Sequence, residues 1–276
     1  MLIAQITDFH VGRVIETTAG SIDLYQRLLE VVEHINRLET RPDLVVVTGD
    51  ISNHGNLEDY ARTKIALDSL QMPYLIVPGN HDHRQRVRDV FDEHRYLHNG
   101  SEFLHYCIED QPVRLVALDT LNPGHHTGKL CDERLDWLTQ TLAAQPERPT
   151  LVFMHHPPAA VQYPYMDAMN CENGDRMAEI ISANPQVQAV CCGHVHRDAI
   201  VNWANTLLFV SGSSAFSYAL HMGEVPDIDP LFEPGICRLF FWSTETGLVS
   251  HLTMVGNYPE GITEGVPTPP GGDTEA

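Results

Sequence analysis

The chain is poor in basic side chains. Seventeen lysines and arginines stand against 37 aspartates and glutamates, for a formal charge of −20. A surface of that sign repels polyanions and argues against a long DNA or RNA partner. Long apolar runs are missing too: nothing approaches the ~18 consecutive apolar residues of a membrane-spanning helix. Met1 to Asp8 lacks a charged stretch followed by a long apolar one, so no cleaved leader is expected and the cytoplasm is the predicted compartment. The six cysteines, Cys107, Cys131, Cys171, Cys191, Cys192 and Cys237, include no Cys-x-x-Cys pair. Buried free thiols are therefore expected rather than a zinc site or a disulfide framework.

What is present suits a substantial core, since 43% of the 276 residues are apolar. One catalytic domain over residues 1–255 is expected, followed by a tail or interface arm over 256–276, where proline, glycine and acidic residues replace any apolar period. Short apolar runs predict strands at 2–7, 44–48, 74–77, 113–118, 150–154 and 187–191. Apolar residues at helical spacing, such as Leu24, Leu28, Val32, Ile35 and Leu38, predict helices over 21–39, 57–70, 132–144 and 175–183. The alternation implies an α/β core. After residue 198 the runs at 200–203, 207–210, 237–242 and 248–253 predict strands with no helix long enough for a crossover. Hairpins or a second sheet follow from that. Residues 157–174 and 213–235 are long loops behind strands, in the places that lids or caps occupy.

Five short polar motifs close these strands: Asp8-Phe9-His10, Gly49-Asp50, Gly79-Asn80-His81-Asp82, His155-His156-Pro157 and Gly193-His194-Val195-His196. In open α/β sheets the carboxyl ends of strands form the ligand crevice, so the placement predicts convergence on one site. Carboxylate, amide oxygen and imidazole together suit borderline divalent cations: zinc, manganese, iron or cobalt. The i, i+2 spacing of Asp8 and His10, and of His194 and His196, predicts both side chains on one side of an extended segment. His156 precedes Pro157, which restrains it to extended backbone. On that ground it is chosen over His155 as the ligand.

These motifs, in this order over residues 1–255, resemble the calcineurin-like metallophosphoesterases, and within them the bacterial class III cyclic-nucleotide phosphodiesterases and glycerophosphodiesterases. The segments 49–55, 153–158 and 171–174 carry the finer likeness. The resemblance implies a four-layer αββα sandwich, two sheets between helical layers, with a small cap. It implies two divalent cations per chain. The first would be held by Asp8, His10, Asp50 and His196, and the second by Asp50, Asn80, His156 and His194, with Asp50 bridging.

The expected reaction is hydrolysis of small phosphodiesters, such as 3′,5′-cyclic nucleotides or glycerophosphodiesters, by a hydroxide shared between the cations. His81 is expected beside the phosphoryl group, with Asn80 and His196 also near substrate. Asp82 either orients His81 or caps its turn. The protein phosphatases carry an arginine soon after Gly-Asp, and the purple acid phosphatases a tyrosine at the position of Asn53; this chain has neither. A diester is thus favoured over a monoester, with a monoesterase or nuclease, or a non-catalytic interaction module, as the alternatives. Arg13, Arg84 and Arg197 stand near motifs as further cations, and Asn173, Tyr163, Tyr165 and Tyr218 as further substrate contacts. A homo-oligomer is expected, with no membrane partner.

Overall fold

The computed structural model describes residues 1–225 and 227–259. The first half runs β1 (Leu2–Ile6), β2 (Val14–Thr17), β3 (Gly20–Asp23), α1 (Leu24–Arg37), β4 (Leu44–Thr48), α2 (Leu57–Leu67), β5 (Tyr74–Val77) and α3 (Arg84–Val90). The middle adds β6 (Tyr106–Ile108), β7 (Arg114–Ala117), β8 (Gly128–Lys129), α4 (Asp132–Ala143), β9 (Thr150–Phe153), α5 (Pro164–Asp167), β10 (Cys171–Glu172) and α6 (Gly174–Ser182). The rest is strand: β11 (Val187–Cys192), β12 (Ala199–Trp203), β13 (Thr206–Val210), β14 (Ser217–Tyr218), β15 (Pro230–Leu231), β16 (Ile236–Ser243) and β17 (Gly247–Met254). The tail expected over 256–276 falls outside the described residues from 260 onward.

Two sheets carry the fold. One has the order β17-β16-β1-β4-β5, the other β12-β13-β11-β9-β7-β6. β1, β4 and β5 run parallel, as do β13, β11, β9 and β7. Side-chain alternation in the second sheet divides two cores. Leu115, Ala117, Leu151, Phe153, Ala189, Cys191 and Phe209 face the first sheet. Their neighbours Val116, Val152, Val190, Cys192, Leu208 and Val210 pack with Leu135, Leu138 and Leu142 of α4 and Met177 and Ile181 of α6. The first sheet is covered in turn by α1, α2 and α3 through Leu28, Ile35, Tyr60, Leu67 and Val87. The layers are therefore helix, sheet, sheet, helix. Phe240 joins the two sheets, with ring centroids 6.3 Å from Phe153 and 5.3 Å from Phe209. Gln5 reaches from one sheet to the other, its amide donating to Thr48 Oγ1 and to the Cys192 carbonyl, both at 2.9 Å.

Local chemistry explains the helix starts. The Asp23 carboxylate accepts from Tyr25 N at 3.0 Å to open α1, and the Asn56 side chain accepts from Asp59 N at 2.8 Å to open α2. Residues 21–23, expected within the first helix, belong to β3 instead, because they pair with β2 before that cap. The strands after residue 198 split between the sheets. β12 and β13 extend the second, whereas β16 and β17 return to the first as a hairpin beside β1. Such long-range partner choice has no local sign. α3 and β6 were not expected; α3 carries only two apolar residues in seven, and β6 is three residues long.

Candidate metal centre

The motif-bearing strands are neighbours: β1, β4 and β5 in one sheet, β9 and β11 in the other. Their carboxyl ends open on one rim, and all five motifs meet there. Asp8 Oδ2 accepts from His194 N at 3.0 Å across the sheets, and His10 Nε2 lies 3.2 Å from His196 Nε2. Asp50 Oδ2 lies 3.5 Å from both His10 Nε2 and His155 Nε2. Asp8, His10, Asp50, His156, His194 and His196 are at most 4% exposed. Asn80 and His81 are half-buried and face the opening, a cavity of about 340 Å³ also lined by Arg13, His126, Tyr165 and Tyr218.

The two i, i+2 pairs are not extended. Asp8, His10, Asp50, His194 and His196 all have left-handed backbone, with φ of 59°, 49°, 50°, 73° and 58°. The expectation of an extended segment is corrected here: each strand ends before its motif, and tight turns aim the side chains inward. Such backbone costs a non-glycine residue roughly 1–2 kcal/mol, so strain is concentrated where the donors converge. Gly193 and Gly79 make the approach feasible. A Cβ on Gly193 would overlap Thr7 Oγ1 and come within 2.8 Å of Asp8 Oδ2, and one on Gly79 would overlap Asp50 Oδ1.

Outer partners fix the imidazoles. Carbonyl oxygens only accept, so each ring nitrogen facing one carries the proton. His155 Nδ1 donates to Thr48 O at 2.7 Å, His196 Nδ1 to Phe216 O at 3.0 Å, and His81 Nδ1 to Asn53 O at 2.8 Å. Nε2 of His196 is thereby left as a lone pair toward the centre, whereas at His155 burial is outweighed by Asp50 and Asp8, which raise the pKa to about 9. His156 Nδ1 pairs with Thr120 Oγ1 at 2.7 Å. Such outer contacts orient metal-binding histidines. Burial depresses the pKa of His10, His156, His194 and His196, keeping the rings neutral. Burial alone would raise the Asp50 carboxyl, but His155, His81 and His10 around it hold it well below the usual range. Burial raises Asp8.

The donor set fits cations. Asp8 Oδ1, His10 Nδ1, His156 Nε2 and His194 Nε2 are buried with no hydrogen-bond partner among the described residues. Unpaired buried polar atoms are costly and call for a partner. Ligand atoms gather within 4.8 Å of one another in four overlapping groups: Asp8, His10 and His196; Asp8, Asp50 and His155; His10, Asp50 and His81; His155, His156 and His194.

A family model described as calcineurin-like phosphoesterase matches residues 1–198. The chain belongs to that family. Among curated members, it is 32% identical over 259 residues to a probable glycerophosphodiester phosphodiesterase of Arcobacter nitrofigilis, covering 94% of each chain. It is 28% identical over 219 residues to the 3′,5′-cyclic adenosine monophosphate phosphodiesterase of Pseudomonas aeruginosa, covering 79% of this chain and 78% of that one. A dimetal phosphatase from Danio rerio shares the fold at a TM-score of 0.63 and 15% identity, over 92% of this chain and 99% of that one.

Within this phosphoesterase several finer expectations resolve differently. His155, passed over in favour of His156, also stands in the centre, with Nε2 3.2 Å from Asn80 Oδ1 and 3.5 Å from Asp50 Oδ2. His156 bonds Thr120 through Nδ1 and leaves Nε2 buried, without a hydrogen-bond partner among the described residues and grouped with His155 and His194. Asp82 does not orient His81. Its carboxylate accepts from Gly79 N at 2.8 Å and Tyr60 Oη at 3.1 Å, tying the turn, while Asn53 O holds the histidine. Asn173 starts α6 without a side-chain cap and donates to Leu130 O; it does not line the cavity. Neither does Tyr163, whose hydroxyl donates to Ala219 O, whereas Tyr165 and Tyr218 do. The segments 157–174 and 213–235 both contribute wall, through Tyr165, Met166 and Met169 and through Tyr218, Ile228 and Pro230.

Proposed function

We propose that this chain is a metal-dependent phosphodiesterase hydrolysing small diesters such as 3′,5′-cyclic nucleotides or glycerophosphodiesters. The observation that carries the reading is the set of buried imidazoles and carboxylates, four of them with an unpartnered polar atom, whose ligand atoms gather within 4.8 Å of one another in overlapping groups beneath an open cavity. Relatives named for both substrate types support it. One cation would be held by Asp8, His10, Asp50 and His196, and a second by Asp50, Asn80, His194 and the His155–His156 pair. Divalent cations there supply Lewis acidity and offset the charge of the transition state. Manganese, iron, zinc and cobalt all suit oxygen and imidazole donors.

The chain's own residues do the rest. Asn53 O holds the His81 proton at Nδ1, so Nε2 faces the cavity and gives a proton to the leaving alkoxide when the ring is doubly protonated. Thr48, Phe216 and Thr120 keep three imidazoles in fixed orientation. Tyr165, Met166 and Met169 form apolar wall against which the substituent of the diester packs. A soluble homo-oligomer of the cytoplasm is part of the same reading. Among the described residues no helix is long and apolar enough to cross a membrane.

The test is direct. Protein reconstituted with manganese, zinc, iron or cobalt is assayed on cyclic AMP, glycerophosphocholine, dimethyl phosphate and a monoester. Turnover of at least one natural diester is expected. Absence of turnover on every diester with all four metals overturns the reading.

A further inference from the structure

Three arginines stand near the motifs, and two of them are occupied. Arg84 binds Asp119, with Nε to Oδ2 at 2.6 Å, and the carbonyl of Leu121. Arg197 pairs with Glu233 at 2.5 Å and donates to the Tyr218 carbonyl. Arg13 lines the cavity instead. Among the described residues no carboxylate lies within ion-pair distance of it, in a chain with a twenty-charge acidic excess. Its backbone is pinned at both ends, since N donates to His10 O and O accepts from Leu24 N, each at 3.1 Å. The guanidinium carbon sits 5.2 Å from the centroid of Phe216, whose ring packs on His10 and His196 at 5.6 and 4.5 Å. A guanidinium stacked on that ring and lacking an anionic partner is pre-organised beside the donors on one side of the centre.

A diester phosphate carries one negative charge shared by two non-bridging oxygens, and a monoester or free phosphate has a further anionic oxygen. We propose that Arg13 is a specificity-determining contact that grips this further oxygen, so that the site accepts phosphate dianions in addition to diesters. The inference rests on the phosphodiesterase reading for the identity of the site. It places the charge clamp of the cavity on the turn after Asp8-Phe9-His10, not behind Gly-Asp.

The experiment compares wild type, Arg13→Gln and Arg13→Lys, all loaded with manganese. Competitive inhibition of bis(p-nitrophenyl) phosphate hydrolysis is measured with inorganic phosphate, in alkaline buffer where it is a dianion, and with dimethyl phosphate. Losing a charge-assisted contact should weaken phosphate about thirtyfold in Arg13→Gln, against about threefold for dimethyl phosphate, with Arg13→Lys between. Arg95→Gln makes the same charge change at an exposed position outside the cavity and should alter neither constant. Equal weakening of both inhibitors, or none, overturns the inference. Thermal stabilisation of the metal-loaded protein by phosphate gives a readout independent of turnover: a shift that Arg13→Gln leaves undiminished is equally fatal. A wild type that binds phosphate through Arg13 but cleaves no diester would instead refute the phosphodiesterase reading alone.

Discussion

Gly193→Ala is a one-carbon change that the geometry makes severe. The added Cβ would overlap Thr7 Oγ1 and sit 2.8 Å from Asp8 Oδ2. Neither group has room to move, because both are fully buried and Thr7 Oγ1 bonds to Asp8 Oδ2 at 2.7 Å and to Thr48 O at 3.0 Å. Asp8 Oδ2 also accepts from His194 N, so a displacement breaks contacts on both sheets. Overpacking of this kind costs about 1–3 kcal/mol. Loss of one hydrogen bond to a charged group adds about 1.5–3 kcal/mol. The sum, near 4 kcal/mol, lowers the melting temperature by roughly 8–16 °C for a chain of this size. Shifting a candidate ligand by ~1 Å should also reduce turnover about 100-fold. Differential scanning calorimetry, bound manganese by mass spectrometry and initial rates on bis(p-nitrophenyl) phosphate measure the three effects. Gly223→Ala is the control, because its Cβ would meet nothing within 4 Å. A Gly193→Ala protein with full metal content and a rate within about twofold of wild type would show that the contact at Asp8 does not control the centre.

Removing Asp50, which lies against His10, His155 and His81, should abolish manganese binding together with activity, whereas His81→Ala should keep its metal and lose roughly 100- to 10,000-fold in kcat. Mass spectrometry beside kinetics separates the two, and an undiminished rate in His81→Ala refutes its role as proton donor. His156→Ala should lose bound metal, since its Nε2 is buried, unpartnered among the described residues and grouped with His155 and His194; full metal content in that variant would count against it as a ligand. His105 supplies a pH test away from the centre. Burial lowers its pKa to about 4 while its ring stacks on Trp137 at 4.2 Å. The unfolded chain therefore binds a proton below pH ~6.5 that the folded one refuses until about 4, and stability falls as the pH drops through that window. His105→Gln should remove on the order of 1 kcal/mol of that loss, and a parallel pH dependence in the variant counts against the assignment.

Most of the candidate site was legible because its residues sit at strand ends, and strand ends are visible in local patterning. The all-buried run Leu44–Thr48 and the turn residues behind it place Asp50 without reference to anything distant. The same reasoning found Asp8, His10, Asn80, His81, His194 and His196, and the family resemblance supplied their proposed partners. It misjudged how those residues are held. Left-handed φ at five of them is imposed by packing between two sheets, as at Gly193 against Thr7, and leaves no local trace other than nearby glycine.

What the amino-acid order alone determined is the alternation of strands and helices, the acidic character of the chain and the list of candidate metal-binding side chains. These depend on composition and on periods of two and 3.6, which are local properties. Tertiary structure decided which sheet each late strand joined, that His155 stands beside His156 in the centre, what orients His81, and which arginine near the motifs has no carboxylate beside it among the described residues. Each of these depends on what stands opposite in space: Phe240 between two sheets, Asn53 O behind an imidazole, Phe216 beneath a guanidinium. Contacts of that kind arise between residues as much as two hundred positions apart, where the periodicity of the chain carries no information.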